Sequence, residues 1–346
     1  MKTLFICKRN ETYGFTTYTR RSSGLYNSTR FIVESLRTHG FDSDIVEVND
    51  NNDIDRVVTA YRPDAVIIEA LWVVPQKFHV LKALHPKVKW FIHLHSHVPF
   101  LALEGIAMEW IDDYARMGLG IIANSKPLYR ALRGSIRHHN TLSYLPNVYL
   151  SNFRKPTGIS FDQERINVAC FGAIRPLKNQ LLQAMAAIKY AKMERKELNF
   201  HINATRSETG GDPVLKNLMS LFASTKYASL ILHDWHEPED FLRQLEMKID
   251  IGLQVSLSET FNVVCADYVT AGIPVVASKE VYWLNPLSKA KDDSIDSIVK
   301  AMKRAYRFRF LIRINQWLLE RHSIKAQIMW MNFLTLNKHS KNESER

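Results

Sequence analysis

Short apolar runs alternate with amphipathic segments along most of this 346-residue chain. The runs between Thr3 and Ala277 have the length of β-strands, and the segments that follow them have helical periodicity. Strands that alternate with helices build parallel sheets with helices on both faces. Because 346 residues are too many for one ordinary core, the pattern predicts two doubly wound α/β domains.

A stretch rich in Ser, Asn, Pro and Gly at residues 149–163 divides the strand–helix pattern into two parts. It predicts an N-terminal Rossmann-like domain over residues 1–150 and a second one over residues 164–300. Helices are then predicted at Phe310–Leu319 and Ser323–Leu334. The polar residues 336–346 are expected to form a frayed tail.

Basic residues outnumber acidic ones, and the formal net charge is +11. Lys300–Arg346 alone carries an excess of +8, and Lys8–Arg37 adds +4. Such an excess attracts polyanions such as nucleic acid or an anionic membrane surface, although a merely soluble basic protein has the same composition. No apolar run approaches the roughly 18–20 residues of a membrane span. The three cysteines lie in or beside predicted core elements, which is typical of reduced thiols in a cytoplasmic protein.

Residues 8–23 form a long polar segment between the first strand and the first helix. Loops of this length in a compact domain are usually functional or disordered. Its aromatic side chains lie between basic pairs, and both aromatic and guanidinium groups can receive unstacked bases. The candidate contacts to nucleic acid or to another acceptor substrate are Arg9, Tyr13, Tyr18, Arg20 and Arg21. Gly24 then opens a helix whose N-terminus suits an anion such as a phosphate.

Three histidines follow the predicted strand at Lys89–His93. If the strand continued, His93, His95 and His97 would share one face. A metal centre lacks an acidic or thiol partner in the same string, so we predict no metal site here. Satisfied core histidines and ligand contacts at the strand end both remain open interpretations.

The segment Gln254–Ser278 joins an apolar strand, a polar turn and a helix that is predicted to run from Phe261 to Thr270. Glu259 lies in the turn, and Asp267 follows eight residues later, which predicts two carboxylates roughly along one helix face. An acid in such a turn also serves as an ordinary cap, so the pair alone does not define a site. In the turn after the predicted strand Ile166–Phe171, Arg175 and Lys178 precede another helix. Fixed cations in such a turn can stabilise a developing anionic charge.

These stretches resemble the E-x7-E region and the cationic turn of retaining glycosyltransferases with the GT-B fold, especially glycosyltransferase family 4. The positions in register with the first motif are Ser258, Glu259, Phe261, Asp267, Ala271, Gly272, Pro274, Val275, Val276 and Ala277. Gly172 and Lys178 match the second motif. The departures are Thr260 and Asn262 at two glycine positions, Asp267 in place of Glu, and Ala173 at a position that is often Arg, with Arg175 two residues on.

The resemblance implies two Rossmann-like domains that face each other across a cleft, with residues 301–335 packing back toward the first domain. It implies retention of anomeric configuration, a nucleotide-sugar co-substrate such as a UDP-sugar, and no metal or other cofactor. Catalytic roles would fall on Glu259, Lys178, Arg175 and His97. Donor-binding roles would fall on Gly24, Gly172, Asp267, Thr260, Phe261, Asn262, His95 and Trp235. In this scheme the cations hold the diphosphate, Asp267 holds the ribose, and Glu259 lies under the donor sugar.

The acceptor is a separate hypothesis that follows from the charge excess and the Tyr/Arg loop. We predict a hydroxymethylated pyrimidine in DNA, as in the DNA-glycosylating enzymes of bacteriophages, which act in the host cytoplasm. One alternative is a lipid-linked or cell-envelope glycan, with the basic C-terminal helices on an anionic membrane. Another, from a different class, is a non-catalytic nucleic-acid-binding module on the same scaffold.

Overall fold

A computed structural model describes residues 1–9, 24–138, 141–155, 164–205, 207–208 and 210–344, with side chains up to Lys338. The predicted contacts Tyr13, Tyr18, Arg20 and Arg21 lie outside the described residues. The described residues form two compact units. One unit contains those up to Leu150 together with those from His322 onward, and the other contains those between Ser151 and Arg321.

The first unit is built on a six-stranded parallel sheet in the order β2-β1-β3-β4-β5-β6. Its strands are β1 (Thr3–Lys8), β2 (Ser43–Val48), β3 (Ala65–Glu69), β4 (Lys89–Leu94), β5 (Gly120–Ala123) and β6 (Leu142–Tyr144). Its helices are α1 (Gly24–Thr38), α2 (Asp53–Tyr61), α3 (Lys77–Leu84), α4 (Val98–Leu101), α5 (Ala107–Arg116) and α6 (Lys126–Ser135). Apolar side chains fill both faces of the sheet, as the alternation of strands and helices predicts.

The second unit is built on a five-stranded parallel sheet in the order β11-β10-β7-β8-β9. Its strands are β7 (Arg165–Ala169), β8 (Glu197–Asn203), β9 (Ala228–His233), β10 (Ile251–Gln254) and β11 (Val275–Ala277). Its helices are α7 (Gln180–Glu194), α8 (Gly211–Ala223), α9 (Pro238–Lys248), α10 (Val263–Thr270) and α11 (Ile295–Arg307). The strand order reverses between β7 and β10, and ligands of doubly wound sheets bind beyond the carboxyl ends of the strands at such a point.

The C-terminal region is one helix, α12 (Phe310–Ser344), where we predicted two helices and a frayed tail. No glycine or proline interrupts the sequence over this range, so nothing forces the helix to end near Leu319. Trp330, Ala326 and Leu334 of α12 are fully buried against the first unit's sheet and α1. The indole of Trp330 donates a hydrogen bond to the carbonyl of Pro146 at 3.0 Å.

The three cysteines are free and buried, as predicted. Burial raises the pKa of Cys170 to about 12 and raises the pKa of Cys7 and Cys265 well above the ordinary thiol value. These thiols therefore stay protonated and unreactive near neutral pH. None of the helices in the described residues combines the length and apolar character that a bilayer crossing requires.

A glycine on β10 makes room for the ring of Tyr268, the one aromatic residue of α10. A methyl group added at Gly252 would lie 2.5 Å from Cδ2 of Tyr268, whose ring is fully buried. The Tyr268 hydroxyl accepts the backbone N–H of Phe171 at 3.1 Å, so the ring cannot move without breaking that bond.

We expect Gly252→Ala to lower the free energy of unfolding by about 1–3 kcal/mol, since the overpacked ring has no space to relax into. The measurement is urea denaturation followed by circular dichroism. The matched control is Gly134→Ala on α6, where nothing lies within 4 Å of an added methyl group. Equal midpoints for the two variants would contradict the packing argument.

Candidate active site

The predicted cation and the predicted carboxylate meet at the point where the strand order of the second unit reverses. Lys178 lies in a 3-10 turn (Pro176–Lys178) after β7, and Glu259 lies in the loop after β10. The Lys178 Nζ is 2.5 Å from Oε1 of Glu259. The two side chains are only 11% and 7% exposed, so the pair is held in a largely desolvated position. Residues 81 positions apart in sequence thus converge on one crevice.

Hydrogen bonds from two amide side chains hold the lysine turn against the neighbouring loops. Asn179 adopts a left-handed conformation (φ +57°), and its Nδ2 donates to the carbonyls of Val255 at 3.1 Å and Asp292 at 2.8 Å. Gln183 donates to the carbonyl of Lys178 at 2.8 Å and accepts the N–H of Val255 at 2.8 Å. Because these bonds tie the turn to the loop after β10, the relative position of the lysine and the carboxylate does not depend on the ion pair alone.

The loop after β10 is fixed by the residue that replaces a family glycine. Asn262 has φ +67°, a left-handed conformation that glycine adopts easily and that asparagine tolerates. Its Oδ1 accepts the N–H of Cys265 at 2.8 Å and caps α10, and its Nδ2 donates to Gln254 at 2.9 Å. The backbone at Thr260, the other substituted glycine position, is not left-handed. The local chain path at 262 is therefore kept without glycine.

Gly172 places the backbone next to the side chain of Lys178. It has φ +117°, and its N–H donates to Oδ1 of Asn203 at 2.9 Å. A methyl group added at Gly172 would stand 3.8 Å from Cε of Lys178. The glycine is therefore required for its backbone conformation more than for space.

Arg175 has its own acidic partner and does not share Glu259. Its guanidinium lies 2.6 Å from Oε2 of Glu208, and both side chains are about one-fifth to one-quarter exposed. Glu208 is anchored beside it, since its N–H donates to the carbonyl of Ile174 at 3.0 Å. Ala173, at the position that is often Arg in the family, is buried. A second cation thus lies on the same turn as Lys178, three residues before it.

The helix that carries Asp267 begins later than predicted, and Glu259 lies in the turn before it, as predicted. The helix α10 begins at Val263, so Glu259 precedes it and is not a helical residue. Asn262, which caps the helix, sets this boundary two residues later than the Phe261 start that we predicted. Asp267 lies on the second turn of α10 and is half-buried. Phe261 is buried, and its carbonyl accepts the indole N–H of Trp283 at 2.8 Å.

Two serine hydroxyls lie beside Glu259 in the loop after β10. The Oγ atoms of Ser256 and Ser258 are buried, and neither has a hydrogen-bond partner within the described part of the chain. A buried hydroxyl without a partner costs free energy. These two oxygens are therefore candidate contacts for a bound polar molecule.

In the first unit, two of the three predicted histidines converge on an acid that the sequence did not single out. The parallel register pairs Glu69, the last residue of β3, with His93 on β4. Nδ1 of His93 and Nε2 of His95 donate to Oε2 of Glu69 at 3.0 and 2.5 Å. The strand ends at Leu94, and His97 precedes α4, so the three histidines do not share one face as predicted.

Burial alone would raise the pKa of Glu69, but the charge and hydrogen bonds of His93, and then of His95, outweigh it and lower this pKa to about 2. Burial and the neighbouring His93 lower the pKa of His95. Within the described residues, Glu69, His93 and His95 are the one group of three His, Cys, Asp or Glu side chains that could hold a metal ion. Their ligand atoms lie within 4.8 Å of one another. The short O···N distances make it a hydrogen-bonded triad in this structure.

The remaining predicted contacts lie at the ends of strands or helices. Gly24 is the first residue of α1. Arg9 follows β1, and its guanidinium donates to Oδ1 of Asn49 at 3.0 Å. Trp235 lies between β9 and α9 and is half-buried.

Five residues that build these sites were missed by sequence reasoning. They are Glu69, Asn179, Gln183, Asn203 and Glu208. A signal existed for Gln183, which with Gln180 forms a pair of buried amides on the otherwise apolar buried side of α7. Buried amide side chains need hydrogen-bond partners, and the free backbone groups of a nearby turn or loop can supply them. Glu69 ends an apolar strand run in a similar way, but its partners are 24 and 26 residues away.

No protein-family model and no curated protein matches this chain. Several solved structures match it in fold over nearly its whole length. A trehalose-6-phosphate synthase from Burkholderia multivorans aligns with a TM-score of 0.71 at 11% identity, covering 100% of this chain and 99% of that one. HepE from Anabaena, solved with UDP and glucose, gives 0.68 at 14% identity and covers 97% and 99%. Sucrose-phosphate synthase from Thermosynechococcus elongatus gives 0.66 at 11% identity and covers 98% and 99%. With two parallel sheets and these alignments, the chain has the α/β architecture of the GT-B fold, as its sequence predicts.

Proposed function

We propose that this protein is a retaining glycosyltransferase that moves a sugar from a nucleotide-sugar to a hydroxyl acceptor. The observation that carries the proposal is the buried Lys178–Glu259 pair beyond the carboxyl ends of β7 and β10. A doubly wound sheet binds nucleotides at this position, and a desolvated lysine there can meet a diphosphate.

The reaction breaks the bond between the anomeric carbon and the β-phosphate oxygen and forms a bond from that carbon to the acceptor oxygen. The acceptor hydroxyl loses its proton to the departing phosphate on the same face of the sugar. Negative charge grows on the diphosphate as the bond breaks, and Lys178 and Arg175 stabilise it. Glu259 then stands near the sugar, where its carboxylate contacts hydroxyls or the developing positive charge.

The donor that we propose is a UDP-sugar. The neighbour from Burkholderia xenovorans is named as a UDP-forming trehalose-phosphate synthase, and HepE was solved with UDP-glucose. Asp267 would accept hydrogen bonds from the two ribose hydroxyls, since a carboxylate offers two acceptor oxygens. The unpartnered hydroxyls of Ser256 and Ser258 are further candidates for donor contacts.

For the acceptor we propose a hydroxymethylated pyrimidine in DNA. The net charge of +11 and the excess of +8 over Lys300–Arg346 support a polyanionic acceptor. The same charge also suits an anionic membrane that presents a lipid-linked glycan, so the two acceptors must be compared directly.

The donor is tested by thermal shift with a panel of nucleotide-sugars, with UMP as the control that lacks a diphosphate. A donor at about 100 times its Kd should stabilise the protein by about 2.7 kcal/mol through mass action. The double variant Lys178→Met/Glu259→Gln should lose this shift. If no nucleotide-sugar raises the Tm of the wild type at millimolar concentration, the donor proposal is wrong.

The acceptor is tested by transfer of radiolabelled sugar to hydroxymethylated DNA and to unmodified DNA of the same sequence. A third reaction contains polyprenyl phosphate in phosphatidylserine vesicles. Label in hydroxymethylated DNA alone supports the proposal, and label in the lipid fraction replaces it with the envelope acceptor. Donor binding with neither transfer nor donor hydrolysis would indicate a non-catalytic module.

A further inference from the structure

A basic and aromatic groove lies in the first unit, apart from the Lys178–Glu259 crevice of the second. It has a volume of about 590 Å³ and is open to solvent on one side. The helix α6 contributes Lys126, Arg130 and Arg133, which are exposed and repeat at helical spacing along one face. Tyr144 at the end of the edge strand β6 and Met329 of α12 complete the lining.

The charge of this groove is of one sign. Its lining contains three cations and no acid. None of Lys126, Arg130 and Arg133 forms an ion pair within the described part of the chain. No Asp or Glu occurs anywhere between Asp113 and Asp162, a segment that contains seven Lys and Arg residues. Unlike Lys178 and Arg175, these cations therefore have no internal carboxylate to neutralise them, and they present their charge to solvent.

Two aromatic rings lie among the cations. Tyr129 and Tyr144 have ring centroids 6.4 Å apart and an interplanar angle of 51°. Both rings are half-buried, so one side of each is supported by the protein and part remains accessible. A half-supported ring between positive charges is the arrangement on which unpaired bases stack while their phosphates are neutralised.

We propose that this groove binds single-stranded nucleic acid. From Lys126 to Arg133 the helix rises about 10 Å, so its three cations form a line of positive charge that a phosphate backbone can follow. The cations contact the phosphates, and Tyr144 stacks on a base. Two half-buried rings among the cations favour a single strand over a membrane surface, because exposed ring faces can stack on bases. The groove deepens the nucleic-acid acceptor proposed above and depends on that proposal for its role.

The test uses the full-length protein and a fluorescein-labelled 20-residue oligothymidine, with fluorescence anisotropy between 50 and 200 mM NaCl. We expect the groove variant Lys126→Gln/Arg130→Gln/Arg133→Gln to weaken binding at 50 mM NaCl by about tenfold or more. The magnitude of its salt slope should fall by about 2, since single strands give roughly 0.7 per phosphate contact. The variant Tyr144→Leu should weaken binding by about 5- to 100-fold and leave the slope unchanged, because it removes stacking and no charge.

The matched control is Lys192→Gln/Lys216→Gln/Lys226→Gln, which removes the same charge from exposed positions of the second unit. We expect its affinity to stay within about threefold of the wild type. Equal weakening by the groove and control variants would overturn the proposal, because net charge alone would then explain binding. Loss of phosphatidylserine-vesicle binding in the groove variant with oligothymidine binding intact would replace the proposal with a membrane surface.

The binding assay contains no nucleotide-sugar, so it is independent of transfer. Normal groove binding with no sugar transfer would contradict the proposed function and leave the groove in place. If the groove variant transfers sugar to DNA as fast as the wild type does, the groove is not the acceptor site. The proposed transferase activity would then still stand. The three α6 substitutions are at exposed positions outside the core, and melting curves monitored by circular dichroism verify that each variant is folded.

Discussion

The variant Lys178→Ala is expected to lower kcat for sugar transfer by about 10²–10³-fold, because it removes a preorganised cation from the charge that develops on the leaving diphosphate. The lysine is only 11% exposed, so water does not substitute for its charge efficiently. The measurement is initial-rate kinetics with the nucleotide-sugar and the acceptor that the two tests above select, together with a melting curve.

The control for this variant is Lys189→Ala. Lys189 pairs with Asp296 at the same 2.5 Å distance, but both side chains are about half to two-thirds exposed. Surface pairs contribute little to stability, so its rate and Tm should match the wild type. Because Lys178→Ala leaves Glu259 buried and unpaired, Lys178→Met/Glu259→Gln separates a loss of folding from a loss of catalysis. A folded Lys178 variant with a normal rate would remove this residue from the active site.

The second large effect is expected from Asp267→Asn, which should raise the KM for the nucleotide-sugar donor about 10- to 100-fold with kcat nearly unchanged. The Asp267 carboxylate would contact the ribose hydroxyls of the donor in the ground state and the transition state alike, so losing this contact weakens donor binding uniformly. Charge-assisted hydrogen bonds of this type contribute about 1.5–3 kcal/mol, and the amide keeps only one acceptor oxygen.

This prediction has two controls, an altered donor and a surface variant of the protein. A donor analogue with a deoxyribose should bind the wild type weakly, and Asp267→Asn should weaken its binding little further, since the shared interaction is already lost. Asp296→Asn on α11 is the matched surface change. An unchanged KM for Asp267→Asn would exclude the ribose contact.

The sequence carries the fold because strand length and helical periodicity are local properties. The strands before Lys178 and Glu259 and the turns after them are predicted from a few neighbouring residues, and parallel strands in one sheet bring their carboxyl ends to one edge. The convergence of Lys178 and Glu259 then follows once both turns are assigned to neighbouring strands.

Other parts of the site depend on pairings that local patterns do not contain. Glu208 neutralises Arg175 from a loop 33 residues away, and Glu69 meets His93 only through the register of β3 and β4. The predicted start of α10 is two residues too early for a related reason. Asn262 stands at a glycine position of the family motif, but asparagine tolerates the left-handed conformation there and its side chain also caps the helix. Short polar residues have several such roles, and the partner decides which one applies.

The long helix α12 affects how the protein is made. Its residues Ala326, Trp330 and Leu334 cover apolar surface of a sheet formed by the first 144 residues, yet they are translated last. While the ribosome completes the roughly 180 intervening residues, at about 5–20 residues per second, that sheet face stays uncovered for roughly 9–36 seconds. A recombinant fragment that stops at Leu150 would keep this surface exposed permanently, so we expect it to aggregate unless residues 322–344 are supplied in trans.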